Sequence, residues 1–445
     1  MTAETAPESI TVPLDLRQDV SVLTAALMDI NSVSGNETEL ADAVEVALRA
    51  IPELQVVRDG DAIVARTELG RAERVILAGH LDTVPLPVTE GARGTVPSTW
   101  DSGIPGEGVL YGRGATDMKG GVAVQLALAA TMFDGGVEPK RDVTFVFYDH
   151  EEVEEAKSGL GRLVRNHGSL LGGDFAILLE PTHGTVEGGC NGTSRFEATT
   201  VGEAAHSARA WMGSNAIHAA APILARLAAY EPQTINVDGL DYRESLNAVK
   251  IKGGTAGNVI PDRCVVEINY RFAPDKTPDQ AEAHVRELLA GFAVVRTDAA
   301  AGARPGLNHP AAASFVAAVG AEPKPKYGWT DVARFSELGI PAVNFGPGDP
   351  LLAHKDNEHV DADAIRECLR RFEVGSQRKP ARRRARSLRT LLCVGGGCGY
   401  LDSRTSGSSG ATTAVGALAT PPAVFVEPRR SIQIASRETQ MLITM

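Results

Sequence analysis

Three short runs in the first half of the chain are apolar at nearly every position: RVILAG (Arg74 to Gly79), DVTFVFY (Asp142 to Tyr148) and FAILL (Phe175 to Leu179). A strand that alternates apolar and polar residues has one face in water. One that is apolar throughout is covered on both faces, as in a parallel sheet between helix layers. Around these runs the apolar spacing changes to a helical period, over about Asp19 to Ala50 and Gly120 to Phe133. The alternation from about Val20 to His183 predicts an α/β domain with a mostly parallel sheet flanked by helices.

Between roughly Glu187 and Val295 the texture changes. Amphipathic strands are predicted at Ser194 to Val201, Leu246 to Lys252 and Arg263 to Phe272, and helices at Asn215 to Ala229 and Thr277 to Leu289. That is enough for a separate α+β module. Afterwards Ala312 to Gly320 and Val332 to Leu338 read as helices and Pro341 to Phe345 as another buried strand. The α/β pattern resumes there, so the module is inserted rather than appended. The expected boundaries are 1–187 and 297–372 for the two parts of the α/β domain, 188–296 for the module and 373–445 for a tail.

With 445 residues and 43% hydrophobic content, the chain has ample material for two packed units. A net charge of −12 argues against nucleic acid as a partner. Met1 to Val20 is polar and acidic, without the basic start or apolar core of a secretory signal or transit peptide. No run approaches membrane-spanning length, so no membrane is expected either. The five cysteines (Cys190, Cys264, Cys368, Cys393, Cys398) are scattered and odd in number, which fits a reducing compartment, and the reading is cytoplasmic.

From Glu373 onward there are 11 Lys and Arg against 4 Asp and Glu, whereas the residues before it carry 33 against 52. Gln377 to Arg389 is a basic run, followed by Gly/Ser/Thr/Ala-rich sequence with little periodicity. It reads as a solvated, disordered extension. A tail that binds nucleic acid or a protein partner is the alternative, but nothing aromatic accompanies the charge.

The candidate chemistry lies where the strands end. His80 and Asp82 in GHLDTVP follow the first run, Glu151 and Glu152 in DHEEVEE the second, and Glu180 in EPT the third. In open α/β sheets this carboxyl edge is where sites assemble. Asp117, in GRGATDMKGG, precedes the helix near Gly120, and His354, in AHKDNEHV, follows the strand AVNF. Two imidazoles and three carboxylates without a thiolate suit a pair of zinc ions, with cobalt or manganese as substitutes and one carboxylate bridging. Glu151, beside Glu152, can stay off the metals as a general base. Asp82 is spaced to hydrogen-bond the His80 ring nitrogen that faces away from the metal.

In order and approximate spacing, HLDTVP, GRGATDMKGG, HEE, LLEPT and AHK resemble the two-zinc aminoacylase and carboxypeptidase family, over roughly Leu23 to Phe372. The resemblance implies a metallopeptidase-like catalytic domain with an inserted lid and dimerisation domain. Position by position it implies Asp117 as bridging ligand, His80 with Glu180 at one site, and Glu152 with His354 at the other. It also implies Glu151 as general base and Asp82 as the orienting aspartate. GEAAHSARAWMGSNAIH is similar to the segment by which the family's lid dimerises. His206 within it is then expected to reach a second subunit's site and steady the oxyanion, which makes the working unit a homodimer.

Read together, HSARAWMGSNAIH, GNVIPDRCVVEINYRF and YGWTDVARF resemble the desuccinylase branch of actinobacterial type. This implies hydrolysis of N-succinyl-LL-2,6-diaminopimelate to succinate and LL-2,6-diaminopimelate, with Asn258, Arg271 and Thr330 as substrate contacts. Arg209 is a further candidate cation. An anionic acyl amino acid calls for fixed donors, ideally bidentate arginine. The proteobacterial type carries an arginine pair at the start of the lid, where this chain has Gly189-Cys190-Asn191-Gly192, which leaves the succinyl-recognising donors open. An acetylornithine deacetylase, an aminoacylase and a dipeptidase stay open as related readings. A non-catalytic metal-binding scaffold dimer is the reading from another class.

Overall fold

The computed structural model describes residues 13–136 and 138–373. Its larger sheet has eight strands in the spatial order 55–59, 62–66, 142–148, 74–80, 175–178, 342–344, 187–188, 324–325. The four central strands, Asp142–Tyr148, Arg74–His80, Phe175–Leu178 and Ala342–Asn344, run parallel. Successive residues feed two cores on opposite faces. Val75, Leu77, Phe145 and Ile177 join one, while Ile76, Ala78, Val146 and Leu178 join the other. Both faces are dry, which is why these strands are apolar without alternation.

Lys119–Thr131 is a helix buried from its first residue to Ala130. A Cβ at Gly121 would collide with the carbonyl oxygen of Leu179. The glycine therefore lets the start of this helix press against the strand end that leads to Glu180. Lys119, also buried, donates to the carbonyls of Leu27 and Ile30 at 3.0 and 2.8 Å, filling acceptors left open at the end of the first helix. The helix expected over Asp19 to Ala50 is two helices, Val20–Asp29 and Thr38–Arg49. They are parted by a loop in which Gly35 takes φ +96° and Val33 bridges to Thr83.

The second sheet has four antiparallel strands in the order 245–253, 263–272, 192–201, 293–300. It has a core of its own, in which Phe196, Ile268, Ile223 and Val285 meet. The helix expected over Asn215 to Ala229 is two pieces, Ala216–Ala219 and Ala221–Ala228. The strand Ala293–Ala300 runs past the expected module boundary at 296, its residues hydrogen-bonded to Gly192–Val201. Ser245–Gly253 is an edge strand, exposed from Asn247 onward. The tail expected from 373, with its basic run and Cys393 and Cys398, lies outside the described residues apart from Glu373, as do residues 1–12.

Candidate active site

Ala78 pairs with Leu178 and His80 with Tyr148. Two residues past the first pair, His80 and Glu180 therefore emerge side by side at the carboxyl edge of the sheet, with Glu151 and Glu152 on the loop after Tyr148. His80 Nε2 lies 3.1 Å from Asp117 Oδ1 and 4.0 Å from Glu180 Oε1. His354 Nε2 lies 3.3 Å from Asp117 Oδ2 and 3.0 Å from Glu152 Oε1. The five ligand candidates thus form two groups, His80/Asp117/Glu180 and Asp117/Glu152/His354, each with ligand atoms within 4.8 Å of one another. Asp117 offers one oxygen to each group.

These spacings fit metal ions. Ligands about 2.1 Å from a tetrahedral ion stand roughly 3.4 Å apart, and the four separations bracket that value. A third group of His80, Glu151 and Glu152 is equally compact, so proximity alone does not separate ligand from base among the two glutamates.

Crowded carboxylates and imidazoles set one another's proton affinity. Burial disfavours the His80 cation, but its hydrogen bond to Asp117 and the charges of Glu151, Glu180 and Asp82 hold it well above the imidazole range. Hydrogen bonds to Asp117 and Glu152 push His354 up to about 10. Burial, then the Asp117 charge, brings Glu180 up to about 7. A cation that enters must displace these protons, because only the unprotonated groups ligate. Metal affinity should therefore rise from neutral pH toward His354's value of about 10. Calorimetry in buffers of different ionisation enthalpy should detect net proton release, and a pH-independent affinity would contradict this.

Asp82 differs from expectation. Its backbone carbonyl, 2.9 Å from His80 Nδ1, makes the bond to the ring, and its carboxylate stands 3.6 Å away. That carboxylate instead accepts the N–H groups of Glu151 and Glu152 at 3.0 and 3.1 Å and the Ser34 hydroxyl at 2.6 Å. One buried aspartate thus fixes the ring tautomer through its backbone and the glutamate loop through its side chain. His150, at φ +58°, adds a brace, with Nδ1 2.7 Å from Asp149 and 3.3 Å from buried Glu37. Lys326 is bonded to the Pro181 carbonyl at 3.3 Å and to Glu187 at 3.1 Å, and its charge acts on Glu180. Ser34, Glu37 and Lys326 went unnoticed in the sequence. The pairing of Ser34 with Glu37 in NSVSGNE is the local signal that could have marked those two.

The other predicted residues lie elsewhere. His206 is exposed, on the two-residue ribbon paired with Val259–Ile260, and its Nδ1 accepts the Ala208 N–H at 3.1 Å. Arg209 and Asn258 are exposed on the same tip, where the Asn258 carbonyl accepts the Ser207 N–H. Arg271 is half-buried near the end of Arg263–Phe272 and donates to Asn269 at 3.2 Å. Burial, and then neighbouring Arg195, lower its proton affinity. Thr330 is buried, with its hydroxyl 3.0 Å from the Asn344 side chain and its carbonyl accepting from Cys190 Sγ. Among the described residues, none of these five shares a hydrogen bond or ion pair with the ligand candidates.

Comparison with known proteins gives the same architecture. An M20 family metallo-carboxypeptidase from Sulfolobus solfataricus superposes with a TM-score of 0.65 at 16% identity, over 80% of this chain and 97% of that one. A Staphylococcus aureus tripeptidase does so at 0.64 and 20%, with the same coverage. In sequence, the succinyl-diaminopimelate desuccinylase of Corynebacterium glutamicum is 44% identical over 360 residues, 79% of this chain and 94% of that protein. A Mycobacterium tuberculosis protein given the same activity provisionally is 51% identical over 368 residues, 81% of this chain and all of that protein. Residues 76–374 match the model of peptidase family M20/M25/M40, a span that includes all five ligand candidates. With paired ligand groups at the carboxyl edge of its sheet, relatives of this identity and that match over most of its length, the chain belongs to peptidase family M20/M25/M40.

Proposed function

We propose that the chain hydrolyses N-succinyl-LL-2,6-diaminopimelate to succinate and LL-2,6-diaminopimelate with two metal ions, zinc first and cobalt or manganese as substitutes. The observation that carries this is 51% and 44% identity to desuccinylases over nearly their whole length, in a chain with two ligand groups sharing Asp117. His80, Glu180 and Asp117 hold one ion, and Asp117, Glu152 and His354 hold the other. When bound, the pair lowers the pKa of a water and polarises the amide carbonyl.

Glu151 takes the water proton and passes it to the leaving amine. Burial above all, opposed by the charge of His80 and joined by those of Glu152, Glu180 and Asp331, holds its carboxyl well above the ordinary range. Asp82 keeps Glu151 and Glu152 in place through their amides.

The oxyanion is assigned to His206 of the partner subunit, and the working unit is a homodimer. The exposed edge strand Ser245–Gly253 supports this, as do exposed Trp211, Met212, Ile217, Leu224, Val249 and Ile251 on the same module. Arg271, Arg209, Asn258 and Thr330 are assigned to the substrate's carboxylates and polar groups. Cys190, Cys264 and Cys368 are free and buried, which supports a reducing compartment, and we place the enzyme in the cytoplasm. Among the described residues no helix is long and apolar enough to cross a membrane.

The test is a hydrolysis panel with the metal-loaded protein, comparing succinyl-diaminopimelate, acetylornithine and simple dipeptides. The succinylated substrate should give the highest kcat/KM. A higher value for acetylornithine or a dipeptide would move the chain to a neighbouring activity, and bound metal without turnover on any of them would favour a scaffold.

A further inference from the structure

Two loops that carry ligand candidates are each anchored by a buried carboxylate through consecutive backbone N–H groups. Asp82 holds Glu151 and Glu152 in this way. Glu358 does the same for the loop of Asp117: its Oε1 accepts the N–H groups of Thr116 and Asp117 at 3.0 and 3.1 Å. Its Oε2 accepts from Arg113 Nη1 at 2.7 Å. Both partners are buried, Glu358 at 1% and Arg113 at 3% exposure. Around them the Thr116 hydroxyl donates to the His359 carbonyl at 3.1 Å and the Gly112 N–H to the Glu358 carbonyl at 3.1 Å.

Arg113 precedes Asp117 in GRGATD, and Glu358 follows His354 in AHKDNEH. The ion pair therefore clamps the loop of the shared ligand to the loop of one terminal ligand, across 245 residues of sequence. A buried pair is a poor way to gain stability, since well-packed apolar residues often do as well. What an apolar pair cannot do is accept the backbone N–H groups of Asp117, which offers oxygens to both groups, and of Thr116 before it. His354 itself holds φ +64°, a conformation that non-glycine residues keep only where their surroundings impose it.

We propose that Glu358 is a positioning residue: together with Arg113 it fixes the Asp117 backbone against the His354 loop, so that Asp117, Glu152 and His354 stand at metal-binding distance. This rests on the two-metal reading of the site.

The test uses the full-length protein, stripped and titrated with zinc by calorimetry, alongside Glu358→Gln and His354→Ala. In Glu358→Gln the amide nitrogen faces the Arg113 donors, so the side chain must turn and release the loop. The zinc equivalent that His354→Ala loses should bind about 10- to 100-fold less tightly in Glu358→Gln, with the other little changed. If both equivalents keep their affinities and only the unfolding temperature of the stripped chain falls, Glu358 is structural and the proposal is overturned. If Glu358→Gln does not fold, Glu358→Asp keeps the charge but withdraws the acceptor by one methylene, and the same two outcomes are read from it. An unaltered protein that binds fewer than two ions would instead overturn the two-metal reading itself.

Discussion

Replacing Asp117 with alanine should empty both metal positions and lower kcat/KM by about 10³-fold or more, a loss of roughly 4 kcal/mol in transition-state stabilisation. The reason is its place in the site: Asp117 is the one ligand candidate common to both groups. Its two oxygens lie 3.1 Å from His80 Nε2 and 3.3 Å from His354 Nε2. His354→Ala touches one group only and should retain one ion. The fold should survive both changes. Asp117 repels Glu152 and Glu180 through its charge, but against its burial the hydrogen bonds to His354 and His80 hold its own carboxyl well below the ordinary range, so its removal loses more than it relieves. The stripped Asp117→Ala chain should stay folded but unfold somewhat earlier than the stripped unaltered chain. Metal content by elemental analysis and thermal unfolding check the two halves separately, and two retained ions would refute the bridging assignment.

Glu151→Gln is expected to do the opposite, keeping two ions while lowering kcat by about 10²- to 10⁴-fold, the usual share of general acid–base catalysis. The variant is nearly isosteric and preserves the backbone N–H that Asp82 holds. It removes only the ability to take a proton. Because His80, Glu151 and Glu152 also form a compact group, this variant decides which glutamate is the ligand. If the roles were exchanged, Glu151→Gln would lose an ion and Glu152→Gln would keep both. The bond between His354 Nε2 and Glu152 Oε1, 3.0 Å, favours Glu152 as the ligand.

Much of this was legible in the sequence because it is local. RVILAG, DVTFVFY and FAILL are unbroken apolar runs since two helix layers cover both faces of their sheet, and the polar residue that ends each run lands at the sheet edge. The helix start at Thr277 was equally plain, and Thr277 and Gln280 form a reciprocal capping box there. The hairpin Gln55–Asp59 and Ala62–Arg66 was missed although its turn carries Gly60 at φ +62°. Its first strand is only half-buried and carries Gln55, Arg58 and Asp59, so no unbroken apolar run marks it beside a long helical period. The split of the first expected helix was hidden for a similar reason, since a loop that pairs with Thr83 is fixed by residues far along the chain.

Partners distant in sequence account for the rest. The spacing of His80 and Asp82 suggested a bond between their side chains. The carboxylate's actual partners are amides 69 and 70 residues away, which no spacing rule could supply. Glu358 lay inside a motif read for His354 alone, and its role became visible only when Arg113 was found against it. In both cases the ligand was readable from residue type and position, whereas the group that holds the ligand's backbone was not.

The central claim, two ions sharing Asp117, is tested most directly by anomalous diffraction from crystals of the zinc-loaded protein. Two peaks should stand on either side of the Asp117 carboxylate, one against His80 and Glu180 and the other against Glu152 and His354. A single peak, or a second peak away from Asp117, would contradict the account.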